Sequence, residues 1–413
     1  MAVNSVQPGI TTLSFSIQNL KSQLDNLQTQ LATGKQSTTY AGMGANEGFA
    51  IAARSQLSDI SAFTDTMSNV GTTISVSNTA LQSLLDIKNQ VQTVVNGGSG
   101  TLNQLGQTVV QQVGTSELSS MIDILNTQSG DRYIFSGGAI QTPAVASMDS
   151  ILNGNGAQAG LKQVIAERLQ ADQGTGTGRL VITAPTATSV QVAEDASPSP
   201  FGLKLASVTS TLTGATVTGP AGVPAAASVD LGATNPNNGD TITYTFNLPD
   251  GSQEQIALTA STANPPPAGS FAIGATSTAT AANLQAALTT AIGNLSDGAL
   301  VAASAIAASN DFFGSPPQRV GTAPFSTATT LVAGTPANTV SWYTGDAGAG
   351  PARGTAVARI DQSQTVQYGM RANEQAIRSL LQGAAVSAAV TFSPADPNAQ
   401  AQITAFDLRV GQS

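Results

Sequence analysis

Nine apolar residues near the start of the chain, Val3, Val6, Ile10, Leu13, Ile17, Leu20, Leu24, Leu27 and Leu31, follow one another at alternating intervals of three and four. That is an unbroken heptad seam, the spacing that holds one apolar stripe against a partner along a supercoil. The residues between are mostly Ser, Thr, Gln and Asn, with Lys21 and Asp25 the charged exceptions. Pro8 suits a first helical position and Gly34 a helix stop. Each stripe residue is worth about 1.5–3 kcal/mol when buried, so the seam represents roughly 12–25 kcal/mol gross. An isolated helix cannot realise that. No equally long seam adjoins it in sequence, so the stripe is expected to pack against neighbouring copies, with Val6, Ile10, Leu13, Ile17, Leu20, Leu24, Leu27 and Leu31 as the assembly interface.

Residues 35–48 contain several Gly and Thr and read as a linker. A second helix is expected from about Phe49 to Asn96, with Ile60, Phe63, Met67, Val70, Ile74, Leu81, Leu84, Val91 and Val95 at helical spacing. A third is expected from Leu102 to Val113, interrupted at Gly114-Thr115 and resumed after a Ser116 cap. Beyond the short strand-like run Arg132–Gly138 the chain turns rich in Gly, Pro, Ala and Thr. Short β-like runs follow at Arg179–Thr183, Ser189–Ala193 and Val208–Thr218. Thr241–Leu248 and Gln255–Thr259 alternate on either side of Pro249-Asp250-Gly251, a β-hairpin pattern. Thr280–Ile292 reads as a short amphipathic helix and Ala299–Ala307 as a strand, within a possible α+β subdomain at 229–312. Near Val340 strands are expected at 340–346 and 356–360, then helix from Gly369 to about Val390 and again over 399–410.

The fold class expected is a mainly α rod of long helices built from both termini, with an inserted β-rich (α+β) outer region. Its parts would be the assembly helix (1–34), the linker (35–48), a helical rod (49–140 with 340–392), the insert (141–339) and a short C-terminal segment (393–413).

Composition excludes several chemistries. The chain has no Cys and no His, which removes disulfides, thiolate nucleophiles, zinc sites of the usual kind and His-based acid–base catalysis. Charged residues are 9% of the chain, and the net charge is −9. Residues 186–345 hold eight acids against Lys204 and Arg319, or −6 of that total. Neither nucleic acid nor an anionic membrane is an expected partner. No stretch approaches eighteen uninterrupted apolar residues, and MAVNSVQPGI lacks the pattern of a cleavable secretory signal.

Gly154-x-Gly156 and Gly174-x-Gly176-x-Gly178 lack the strand, helix and partner residues of phosphate loops, and read as loop punctuation. Without His a hydrolytic triad would need a lysine base, and no Ser-x-x-Lys pairing occurs. Glu194-Asp195 reads as an exposed turn, the Asn294-Leu295-Ser296 triplet as chance, and Trp342-Tyr343 as core or interface. No enzyme activity, cofactor or metal is expected.

Several segments together resemble a family. Ser5, the heptad helix, Leu31-Ala-Thr-Gly-Lys35 and Asn46-Glu-Gly-Phe-Ala-Ile-Ala-Ala-Arg54 resemble the start of bacterial flagellin-type axial proteins. Gly130-Asp-Arg-Tyr-Ile-Phe-Ser-Gly137, with Tyr133, Ile134, Phe135, Ser136 and Gly137, is more similar to the signature of the hook-associated proteins at the hook–filament junction. Tyr343-Thr-Gly-Asp346, Ile360-Asp361 and Val366-Gln-Tyr-Gly-Met-Arg-Ala-Asn373, with Tyr368, Gly369 and Asn373, resemble the same group. The resemblance covers roughly 1–140 and 340–390. It implies a structural, extracellular subunit of the bacterial flagellum, exported without a cleavable signal peptide through a type III channel and needed for motility. Implied partners are other copies of the chain, the hook-side junction protein, flagellin and an export chaperone. A filament-forming flagellin is the alternative, and a secreted adhesin with a helical stalk a remoter one. The family's C-terminal heptad helix has only a weak counterpart, since sixteen residues follow Pro397, among them Ile403, Phe406, Leu408 and Val410.

Overall fold

A computed structural model describes residues 7–97, 101–103 and 107–412, with side chains left out at 7–11, 95, 96 and 412. Val3 and Val6 lie outside the described residues. The chain forms two compact units, one of residues 1–72 with 357–366, the other of 73–356 with 367–413.

The first unit holds α1 (Gln7–Thr33) and the leading part of α2 (Glu47–Asn96). Gly34, at φ 63°, supplies the left-handed stop that follows α1. The linker contains a 3-10 segment, Ala41–Asn46, kinked at Gly44. Tyr40 lies under the guanidinium of Arg54, 4.8 Å from ring centroid to Cζ, which ties the linker to the start of α2.

The second unit begins within α2, where Ala80, Leu84 and Ile87 enter a buried core. The next helix is continuous, α3 (Val109–Leu125), and starts at a capping box. Gln111 N–H donates to Thr108 Oγ1, and Thr108 N–H donates to Gln111 Oε1. Gly114, expected as an interruption, is a packing device instead. A Cβ there would stand 2.6 Å from Ser387 Cβ, so glycine lets two helices close on each other. The two-residue strands β1 (Gln128–Ser129) and β2 (Arg132–Tyr133) then form a small hairpin.

Helices α4 (Met148–Asn153) and α5 (Leu161–Gln173) lead into two four-stranded sheets. Their strands are β3 (Leu180–Thr183), β4 (Ser189–Glu194), β5 (Lys204–Ser210), β6 (Thr216–Ala221), β7 (Ala226–Asp230), β8 (Thr241–Asn247), β9 (Gln253–Ser261) and β10 (Ser270–Ala272). The orders are β3-β4-β7-β6 and β10-β9-β8-β5. The Pro249-Asp250-Gly251 hairpin joins β8 to β9, and Ile242, Tyr244 and Phe246 alternate inward as a period of two requires. They pack with Val192, Val229 and Phe271 against α6 (Ser277–Asp297), through Leu284, Leu288 and Ile292.

The run expected as a strand, Ala299–Ala307, is part of helix α7 (Ala299–Phe312). Buried residues surround that helix, so its Ala-rich sequence shows no polar face from which a helical period could be read. Together α6 and α7 are long and apolar enough to cross a membrane by length and composition. Gly298 separates them, and both contribute to the buried core beside the sheets. The remaining elements are β11 (Gln318–Val320), β12 (Leu331–Ala333), β13 (Val357–Arg359), β14 (Thr365–Gln367), α8 (Gln375–Ala389) and α9 (Ala399–Gln412).

The expected helical rod with a β-rich outer insert is corrected by these elements. Helix is 46% and strand 18%, spread over several small sheets. Among the described residues α1, α2 and α6 have 27, 50 and 21 residues, while α8 and α9 have 15 and 14. Pro394 and Pro397 part those two, and both fold onto neighbours. Val386, Val390, Phe392, Ile403, Phe406 and Val410 form one cluster with Ala302 and Ala305 of α7. The insert also carries helices α4 to α7 within a packed core. Helical periodicity reports which face a segment will bury, but not whether the segment continues as a rod.

Candidate assembly interface and motif junction

Among the described residues the stripe on α1 has no cover. Leu13, Ile17, Leu20, Leu24, Leu27 and Leu31 are between 54% and 88% exposed. Ile10 is helical but its side chain lies outside the description. Phe15, 70% exposed, lies about half a turn round α1 from the stripe and is not part of that face. The leading part of α2 continues the pattern with Phe49, Leu57, Ile60 and Met67 exposed. Single exposed leucines need no explanation, but a face of this extent marks a surface that something covers. The hydroxyls along α1 are satisfied within the helix, as Thr29 Oγ1 donates to Asp25 O and Thr33 Oγ1 to Thr29 O.

The signature segments 133–137, 343–346 and 368–373, the first more than two hundred residues before the other two, meet in the second unit. Ile134, Phe135 and Ser136 are buried, and Gly137 turns the chain at φ 63°. Ala372 N–H donates to Phe135 O at 2.8 Å, and Gly137 N–H to Met370 O at 3.0 Å. From the third segment, Asp346 N–H donates to Ser136 O at 2.9 Å. Ser136 Oγ donates to Thr142 O, so the buried hydroxyl is satisfied.

One arginine locks the junction. Arg371 pairs with Asp346 at 2.9 Å and donates to the carbonyls of Gly348 and Gly350. The Gly348 N–H, with Arg371 and the Gly138 N–H, holds the Asp346 carboxyl below the usual aspartate range. Tyr343 OH donates to Asp346 O, and burial pushes that phenol up to about 12. Arg132 lies over the Tyr368 ring at 5.6 Å. Gly369 has no room for a side chain, since a Cβ would fall 2.2 Å from Thr355 Oγ1 and 2.5 Å from Ala352 O. Of the other signature residues, Tyr133 is half-buried in β2, with its N–H donating to Ile140 O, and Asn373 is half-buried just ahead of α8. Trp342 joins the core 5.2 Å from Phe313. The arrangement is a clamp of backbone hydrogen bonds and one ion pair, suited to holding distant segments together.

The other charged clusters also pin elements. Arg168 bridges Asp172 at 2.9 Å and Asp311, which joins α5 to α7. Burial raises both carboxyls, against the pull of Arg168. Glu194 pairs with Lys204 and Asp195 with Arg179, so the two acids have basic partners where the sequence suggested a solvated turn. Arg409 of α9 holds Asp250 and Glu254 at the hairpin turn. Gly154, Gly156, Gly174, Gly176 and Gly178 all have positive φ, the conformation of turn glycines. Asn294 falls within α6 rather than on a loop. Among the described residues no group of three His, Cys, Asp or Glu side chains is placed to hold a metal ion.

Comparison of the chain with protein-family models, with curated proteins and with solved structures returned no match in any of the three.

Proposed function

We propose that this chain is a structural subunit of the bacterial flagellum that assembles at the hook–filament junction through helical packing of its terminal region, and that it is needed for motility. The observation that carries the reading is the bare stripe from Leu13 to Leu31 on a 27-residue helix. Covering those six side chains is worth roughly 9–18 kcal/mol gross, which offsets the loss of freedom on association. A stripe at one end of a subunit that meets a different surface on the next makes a heterologous contact, and such contacts extend along a screw. The junction of residues 133–137, 343–346 and 368–373 supports the resemblance to hook-associated proteins, because the residues that carry it also meet in space. Absence of cysteine suits passage through an export channel as an unfolded chain, since no disulfide can trap it. The partners are other copies, the hook-side junction protein and flagellin, with an export chaperone before assembly. The role is architectural, outside the cell and without catalysis.

Electron microscopy of flagella carrying a labelled subunit tests this directly. A single band at the distal end of the hook is expected. Label along the whole filament would make the chain a flagellin. Deletion of the gene should leave hooks without filaments and flagellin free in the medium, and normal filaments after deletion would overturn the reading.

A further inference from the structure

An uncovered stripe needs a receiving surface, and the second unit has one of matching chemistry on α8. Ala376, Ser379 and Gly383 share one side of that helix at i, i+3 and i+7, the first two exposed. A Cβ built on Gly383 meets nothing within 4 Å, so the backbone there is open to close approach. A cavity lies on each flank of this strip, and both are lined by Ser379 and Gly383. One, of about 240 Å³, has Val91, Met121, Leu380 and Val410 in its walls. The other, of about 120 Å³, is lined by Ile306 and Val386 together with polar groups. Among these is Ser309, which is fully buried and whose hydroxyl has no hydrogen-bond partner. A small-residue ridge between an apolar hole and one of mixed lining is the counterpart of a helix bearing leucines at threes and fours between polar flanks.

We propose that this saddle on α8 receives the α1 stripe of a second copy of the chain, with Leu20, Leu24 and Leu27 entering the holes. The inference rests on the assembly reading above and names where the stripe goes. Two features select α1 as the occupant. Apart from Lys21 and Asp25, its flanks are neutral amides and hydroxyls, including Ser16, Gln23 and Gln28, which match Gln92, Ser309, Asn310 and Gln382 around the cavities and offer Ser309 a partner. Asp25 is the one acid on α1, and Lys88 is the one charged side chain lining either cavity, so a single pair sets the register.

Because the chain has no cysteine, cross-linking between two single-cysteine variants has no background. Leu24→Cys chains mixed with Ser379→Cys chains and a short bismaleimide should give a two-chain product. Its yield should exceed that from Leu24→Cys with the exposed control Thr183→Cys about tenfold or more, as expected for sites held at high effective concentration. Gly383→Phe, at a position with open space, should abolish the product while the unfolding curve stays unchanged. Asp25→Lys should lower the yield roughly tenfold and Lys88→Asp in the mixing partner should restore it. Cross-linking of Leu24→Cys to itself, with none to Ser379→Cys, would overturn this inference and leave assembly through the stripe standing. Single-chain mass in sedimentation, with no product of either kind, would overturn both.

Discussion

Helices α1 and α8 carry the same kind of apolar face, and the molecule treats them in opposite ways. Along α8, Ile377, Leu381, Ala384, Ala385 and Val386 are buried, and Gly114 lets α3 close against it near Ser387. Along α1 the six described leucines and isoleucines of the stripe are all more than half exposed. Residue type and period do not separate the two. What separates them is the surface opposite. An amphipathic helix with a complementary neighbour becomes core, and one without becomes an interface or stays costly to leave in water. Helix α2 holds both states in one element, with Phe49, Leu57 and Ile60 exposed and Leu84 and Ile87 buried.

The contrast can be broken first where it makes the largest claim. Leu20→Asp with Leu27→Asp should abolish assembly in sedimentation and electron microscopy while the thermal unfolding of the second unit stays where it was. Loss of both together would make the stripe part of the folding core. The converse change, Phe135→Ala, removes a fully buried ring at the motif junction. It should cost about 3–5 kcal/mol in denaturant unfolding. Gly114→Val places atoms where Ser387 already lies, and should cost about 1–3 kcal/mol through overpacking. The same glycine replacement at Gly383, which faces open space, should leave stability nearly unchanged by that route.

The smallest effect concerns α9. Burial raises the Asp407 carboxyl above its ordinary value of 3.8, and its Oδ1 is buried without a hydrogen bond. A carboxyl raised in the folded state favours folding when protonated, and that contribution is lost as the pH rises through the folded value. Asp407→Asn should therefore stabilise the protein at neutral pH, by under about 1 kcal/mol because solvent screens a half-buried group. The gain should vanish as the pH falls below the ordinary aspartate range, and an unchanged difference across that range in pH-dependent unfolding would remove burial as its cause.

Much of the local structure was legible. The α1 period, the β8–β9 hairpin around Pro249-Asp250-Gly251 and the inward face of α6 each follow from a strong repeat with clear punctuation. The failures have physical causes. Helix α7 is buried all round, so its Ala-rich run showed no helical stripe and passed for a strand. Gly114 signals a break by propensity, yet close approach to Ser387 outweighs the cost of about 1 kcal/mol that glycine brings to a helix interior. The long rod failed because Ile403, Phe406 and Val410 found cover on α7. Of the candidate site, the helical spacing from Leu13 to Leu31 could be read from the sequence, whereas Arg371 as the lock of the motif junction could not, since no local spacing links it to Asp346 and Ser136.

The sequence by itself determined which residues would share a face, because that depends on the backbone period alone. It also determined which chemistries are absent, since a chain without cysteine or histidine cannot supply them. The tertiary structure decided which faces become core. It covered α8 and α9, left α1 bare, and brought residues 133–137, 343–346 and 368–373 into one clamp. Burial is a property of two surfaces, and a period describes only one of them.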